Sequence, residues 1–162
     1  MVDQNKLELA KRTFETLCQA LDSRQWKYRR NDEELSVEYI VNGEDMPMRF
    51  FFVINAEYSL VRLLSPMPLT VKESKRLDVA VAVSMINNRL LYGSFNFDVT
   101  DGELRFRLCN SFRDSVLGTD VFLHMIAVGN IVVERYNDKL FMLATGVISL
   151  EKFIELFNEE TK

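Results

Sequence analysis

Polar and apolar positions change their period several times along this chain, and each change marks an element. Residues 5–21 repeat with helical spacing. Leu7, Ala10, Phe14, Leu17, Cys18 and Leu21 share one face, and Glu8, Lys11, Arg12, Glu15 and Gln19 share the other. Cys18 falls on the core side, where a thiol acts as a small hydrophobe. Trp26 follows and is expected to pack under the start of a sheet. Residues 35–42 alternate, with Leu35, Val37, Tyr39 and Val41 on one face and Ser36, Glu38, Ile40 and Asn42 on the other. Asn42-Gly43 then supplies a turn, because both residues tolerate positive φ. The next strand, Met46 to Asn55, is apolar on both faces through Phe50, Phe51, Phe52, Val53 and Ile54, the pattern of a central strand covered on both sides. A further strand runs from Tyr58 to Ser65. The prolines of Ser65-Pro66-Met67-Pro68 are expected to end it.

Thr70-Val71-Lys72-Glu73 has the form of a capping box, and the helix it predicts runs from Lys72 to about Asn88. Its apolar residues cover nearly the whole circumference. Val79, Ala82, Val83, Ile86 and Leu90 point one way; Leu77, Ala80, Val81 and Met85, with the small Ser84, point the other. One face belongs on the sheet and the other needs a second cover. That second face, Leu77, Ala80, Val81, Ser84 and Met85, is a candidate homodimer interface, with Ala80 and Ser84 small enough for close helix approach. The C-terminal helices are the competing cover.

A hairpin follows, from Tyr92 to Cys109. A two-residue turn at Asp101-Gly102 would pair Val99 with Leu104, Phe97 with Phe106 and Phe95 with Leu108 on one face, and Asp98 with Arg105 and Asn96 with Arg107 on the other. Gly93 shares the face of Phe95 and Phe97, so it is expected to be small to let a helix approach the sheet. Residues 120–143 read as a long helix with Gly146 at or beyond its end. Ser149 caps a last short helix through Leu150, Phe153, Ile154 and Phe157. The order α-β-β-β(-β)-α-β-β-α-α predicts one α+β domain over residues 1–162. Its sheet is antiparallel, with five to six strands and helices mainly on one face.

Composition adjusts this picture little. The 162 residues are 48% hydrophobic and 27% charged, as in an ordinary globular protein, and twelve Phe residues predict an aromatic core. A net charge of −4 and a pI near 5.1 argue against nucleic acid or an anionic membrane as partner. The most basic stretch, Lys27-Tyr28-Arg29-Arg30, reads as a solvated strand edge. The first residues hold no apolar segment of signal-peptide type, and the longest apolar run, Val121 to Val133, is too short to span a bilayer, so a cytoplasmic location is expected.

Candidate chemistry is sparse. Cys18 and Cys109 have no metal or redox spacing and read as free thiols. His124, the single histidine, stands in an apolar helix without a nucleophile motif nearby. The six glycines never cluster into a phosphate-binding loop. No catalytic residue, cofactor or metal is therefore expected. Arg105 and Arg107, on the open face of the hairpin, read as cross-strand partners of Asp98 and Asn96, or else as a docking face for an acidic or main-chain-rich peptide. Two functions of different class follow. One is a dimeric protein-binding module. The other is a small-molecule sensor or enzyme with a pocket between the sheet and the C-terminal helices, using Cys109 or His124.

Ile86-Asn87-Asn88-Arg89-Leu90-Leu91-Tyr92-Gly93-Ser94-Phe95, then Phe97-Asp98, then Asp101-Gly102-Glu103-Leu104-Arg105-Phe106 resemble the YbjN-like family of bacterial proteins, labelled sensory transduction regulators. Their fold is similar to that of type III secretion chaperones. The element order agrees with theirs over about Leu7 to Tyr136, leaving out the helix after Ser149. The resemblance implies a small cytoplasmic protein that forms dimers and binds another protein, and it carries over no catalytic residue.

Overall fold

The computed structural model describes residues 3–159. Helix α1 spans Gln4–Ser23, and the Asp3 carboxylate accepts the Asn5 N–H at its start. Four strands follow: β1 (Arg29–Asn31), β2 (Ser36–Asn42), β3 (Pro47–Asn55) and β4 (Leu60–Thr70). A 3₁₀ turn over Glu73–Lys75 leads into α2 (Arg76–Asn87). Strands β5 (Ser94–Phe97) and β6 (Glu103–Ser111) precede α3 (Thr119–Thr145) and α4 (Leu150–Glu159). The strands form one antiparallel sheet in the order β1-β2-β3-β4-β6-β5. The expected class, α+β with the secretion-chaperone element order, is the observed one.

Alternation along each strand divides the sheet into a covered face and an open one. Val37 and Tyr39, Phe50 and Phe52, Val61 and Leu63, Phe106 and Leu108, and Phe95 are buried. Helix α3 lies across them. The Phe52 ring meets Phe122 edge-on at 5.9 Å, and Phe95 meets Tyr136 at 6.1 Å. The α3 backbone comes close to the sheet at Gly129, where an added Cβ would stand 2.8 Å from Leu63 and 3.3 Å from Phe50. Helix α1 supplies Phe14, Leu17 and Leu21 to the same core, and Trp26 packs edge-on against Tyr39 at 5.3 Å. Nine of the twelve Phe side chains are almost wholly buried, so the aromatic core expected from composition is present.

Several local expectations fail for stated reasons. The prolines do not end β4, which passes through Pro66 and Pro68 to Thr70. The register shifts between Pro66 and Thr70, so the missing N–H groups fall in an irregular stretch. Thr70 therefore belongs to a strand and caps no helix; α2 starts at Arg76, with neither Lys72 nor Lys75 making a side-chain cap. Asn42-Gly43 forms no positive-φ turn: Asn42 pairs with Pro47 across a four-residue loop. Strand β3 is central but covered on one side only, since Phe51 and Val53 on its other face remain half-buried.

The β5–β6 register is two residues away from the expected one. Phe97 pairs with Leu104, Phe95 with Phe106, Asn96 with Arg105 and Ser94 with Arg107. A two-residue type I′ turn needs positive φ at both central residues, and here Gly102 alone has it, at +84°. The connection is instead a four-residue loop from Val99 to Gly102. In it the Asp98 carboxylate accepts the Thr100 N–H at 2.8 Å, and Gly102 N–H donates to the Asp98 carbonyl at 2.8 Å. A slip of two preserves which face each side chain occupies, so the apolar face survives while every partner changes.

The same loop design occurs twice more. Asn31 pairs with Ser36, and Asn55 with Leu60, each across four residues. The Asn31 side chain accepts from Glu33 N and Glu34 N, and Asn55 from Tyr58 N. The last loop residue is left-handed in all three: Leu35 (φ 47°), Ser59 (φ 50°) and Gly102. Only the third carries a glycine there, so only the third announces its left-handed residue in the sequence.

Candidate functional site

Two surfaces hold features that folding alone does not consume. The first is the outer side of α2. Val79, Ala82, Val83 and Ile86 are buried as expected. The C-terminal helices do not cover the opposite side: Leu77 is 80% exposed and Val81 44% exposed, Ser84 is open, and Ala80 and Met85 are half-buried. Immediately after the helix, Leu91 is 93% exposed. Helix α4 packs against a different part of α2, through its end. Arg89 stacks 3.6 Å over the Phe157 ring and donates to the Phe157 carbonyl at 2.8 Å. Asn87 meanwhile donates to the Phe95 carbonyl at 2.9 Å and accepts the Phe95 N–H at 2.8 Å, as a neighbouring strand would. The Asn-Asn-Arg segment is thus a structural joint between α2, β5 and α4.

The second surface is the open face of the sheet near β5. Residues aligned across the strands run Arg29–Glu38–Phe51–Leu64–Arg107–Ser94, with the neighbouring row Ser36–Val53–Arg62–Cys109. A cleft of about 410 Å³ lies here, lined by Arg62, Leu64, Asn96, Phe97, Asp98, Val99, Arg105 and Arg107. The expected partnership of Arg105 with Asp98 and of Arg107 with Asn96 is overturned by the two-residue slip. Arg105 lies opposite Asn96 and forms an ion pair with Glu103 at 3.9 Å, while its charge still acts on the Asp98 carboxylate from across the strands; Arg107 lies opposite Ser94. Among the described residues neither Arg107 nor Arg62 makes an ion pair or side-chain hydrogen bond, and the buried Arg62 Nε has no acceptor. The Asp98 carboxylate is occupied by Thr100, whose N–H and hydroxyl hold its pKa below the usual carboxylate range.

The basic stretch at β1 behaves differently. Arg29 and Arg49 both bind Glu38, and Arg30 is shared by Glu15 and Asp32. Its charge is internally matched, in keeping with a solvated strand edge.

His124 is exposed and meets the Tyr92 ring edge-on at 5.4 Å. Cys109 is exposed on the open face, while Cys18 is buried, and that burial pushes its thiol pKa up. Asn130 is half-buried on α3, its carbonyl oxygen without a partner, and Glu134, one turn on, accepts the Glu44 N–H at 2.8 Å. No group of three or more His, Cys, Asp or Glu among the described residues is arranged to hold a metal. No helix there is long and apolar enough to cross a membrane. Sequence reasoning missed Arg62 as part of the open-face cleft. Its signal was the alternation Leu60-Val61-Arg62-Leu63-Leu64, which puts one charge on the face opposite Val61 and Leu63.

The architecture is that of type III secretion chaperones. Two solved complexes contain chains with this fold. A chain of the HopA1–SchA chaperone–effector complex is 11% identical, with a TM-score of 0.57, over 85% of this chain and 99% of that one. A chain of the ExsC–ExsE complex is 13% identical, with a TM-score of 0.54, over 78% and 92%. The crystal structure titled "YbjN, a putative transcription regulator from E. coli" is 15% identical, with a TM-score of 0.57, over 77% and 91%. No curated protein matches the sequence. Residues 13–142 match the YbjN family, described as "Putative bacterial sensory transduction regulator", and the chain belongs to that family. The match ends inside α3, so α4, with the Phe157 that Arg89 holds, lies beyond it.

Proposed function

We propose that this chain is a single-domain, non-catalytic protein-binding module of chaperone-like or regulatory type, cytoplasmic and acting as a homodimer. The observation that carries the reading is the uncovered apolar side of α2. Leu77 and Val81 stand one turn apart with Ser84 below them, and exposing them to water costs free energy that a second copy recovers. Ala80 and Ser84 allow two such helices to approach closely. A symmetric pairing of this side about a two-fold axis is self-complementary, as homodimers require. Protein partners then dock on the open sheet face around Arg105 and Arg107. The fold shared with chaperone–effector complexes supports this reading. The reading of a pocketed sensor or enzyme gains no support, because His124 faces Tyr92 on the surface rather than converging with Asn130 and a carboxylate.

Light scattering on wild type and on Val81→Glu tests the dimer. Wild type is expected to run as a dimer at micromolar concentration and the variant as a folded monomer. A monomeric wild type would end the dimer reading; a Val81→Glu chain that unfolds instead of dissociating would put Val81 in the monomer core and the interface elsewhere.

A further inference from the structure

Resting on the binding-module reading, we propose that the cleft on the open sheet face is a docking site for an acidic, extended peptide segment of a protein partner. Arg62, Arg105 and Arg107 receive its carboxylates, and Leu64 and Val99 receive an apolar residue beside them.

Three features of the cleft support this occupant. The first is charge. The chain is acidic overall, yet these three guanidinium groups line a space of about 410 Å³ with one carboxylate, Asp98, whose oxygen already accepts from Thr100. Elsewhere on the sheet, arginines are matched: Arg29 and Arg49 by Glu38, and Arg30 by Glu15 and Asp32. Arg105 has Glu103 at 3.9 Å, but Arg62 and Arg107 beside it are unmatched, and two unmatched cations in one place on an otherwise paired sheet call for an anionic complement. The second is desolvation. Arg62 is half-buried between Val53 and Cys109 in the cross-strand row, and its Nε lies out of water with no acceptor. A carboxylate brought to that guanidinium restores a hydrogen bond in a setting where charge-assisted bonds are strong. The third is spacing. Arg105 and Arg107 are two residues apart on β6, so their side chains leave the same face about 6.6–6.8 Å apart. Alternate side chains of an extended peptide repeat at the same step. Leu64, aligned with Arg107, and the half-exposed Val99 give the neighbouring apolar seat that a phosphate or nucleotide would not use.

The test is fluorescence anisotropy on the full chain, with circular dichroism to confirm folding. The probes are a fluorescein-labelled peptide alternating Glu and Ala around a central Leu, its Gln counterpart, and a single-stranded oligonucleotide. Wild type is expected to bind the Glu peptide at least about tenfold more tightly than the Gln peptide. Binding should weaken several-fold on adding salt to about 0.15 M. Arg62→Gln and Arg107→Gln should each lose most of the affinity, and Arg107→Lys should retain part of it, because charge remains but the planar fork does not. Equal binding of the Glu and Gln peptides, or Gln variants that bind like wild type, would overturn the assignment. Tighter, Arg62-dependent binding of the oligonucleotide would replace the peptide with a nucleic acid. If wild type ignores the Glu peptide while Val81→Glu still splits a dimer, the cleft assignment fails alone and the binding-module reading stands.

Discussion

The two faces of this sheet are made from the same strands and do opposite things. On the covered face, Phe50, Phe52, Leu63, Phe95 and Phe106 are shut away under α1 and α3, and each is held by several neighbours. On the open face, Phe51, Val53 and Leu64 are half-buried beside Arg49, Arg62, Arg105 and Arg107. A side chain on the first face is fixed by packing, which tolerates little change in volume. A side chain on the second face has no layer above it, so its chemistry is free to serve a partner. Stability should therefore reside in one face and binding in the other.

The largest test of that division is a matched pair of truncations. Phe106→Ala, at a fully buried position, should cost about 3–5 kcal/mol, and Phe51→Ala on the open face distinctly less, by urea denaturation. Equal losses would mean that the open face is covered in solution, as by a dimer partner. Next comes Gly93→Val, expected to cost about 1–3 kcal/mol in the same assay. The position is small, but not for the expected reason: what approaches it is strand β6 and not a helix. Its φ is +74°, and a Cβ there would run into the Phe106 ring of the neighbouring strand. A variant as stable as wild type would show that this edge of the covered face is loose. Gly129→Ala, where α3 touches Leu63, should cost about 1–2 kcal/mol; no change would mean that the helix can lift from the sheet.

The smallest effects belong to the open surfaces. Leu77→Glu and Arg107→Gln should leave the monomer within about 0.5 kcal/mol of wild type while altering self-association and peptide binding respectively. A large loss of stability at either site would break the division of labour.

Much of this was legible in the sequence, because side-chain periodicity reports faces directly. The helical repeat of α1, the alternation of β2 and the buried half of α2 all follow from where apolar residues recur. The Asn87-Asn88-Arg89 segment stood out as a motif, but its use as a joint between α2, β5 and α4 did not, since the Phe95 and Phe157 backbones meet it only after the chain has folded.

Partnership was harder to read than facing. The β5–β6 register fitted a two-residue turn in chemistry, yet the chain adopts the four-residue loop that also joins β1 to β2 and β3 to β4. Leu35 and Ser59 take left-handed backbone without a glycine to announce it. A shift of two residues leaves the hydrophobic pattern unchanged, so the pattern cannot choose between registers; loop geometry chooses. That choice takes Arg105 and Arg107 away from Asp98 and Asn96 and sets them beside Arg62, which comes from a strand more than 40 positions earlier. The sequence by itself determined the α+β order, the aromatic core and the apolar surplus of α2, because these depend on local period and composition. Which arginines share a cleft, and which side of α2 stays open, was decided only in the tertiary structure, because both depend on pairings between segments far apart in the chain.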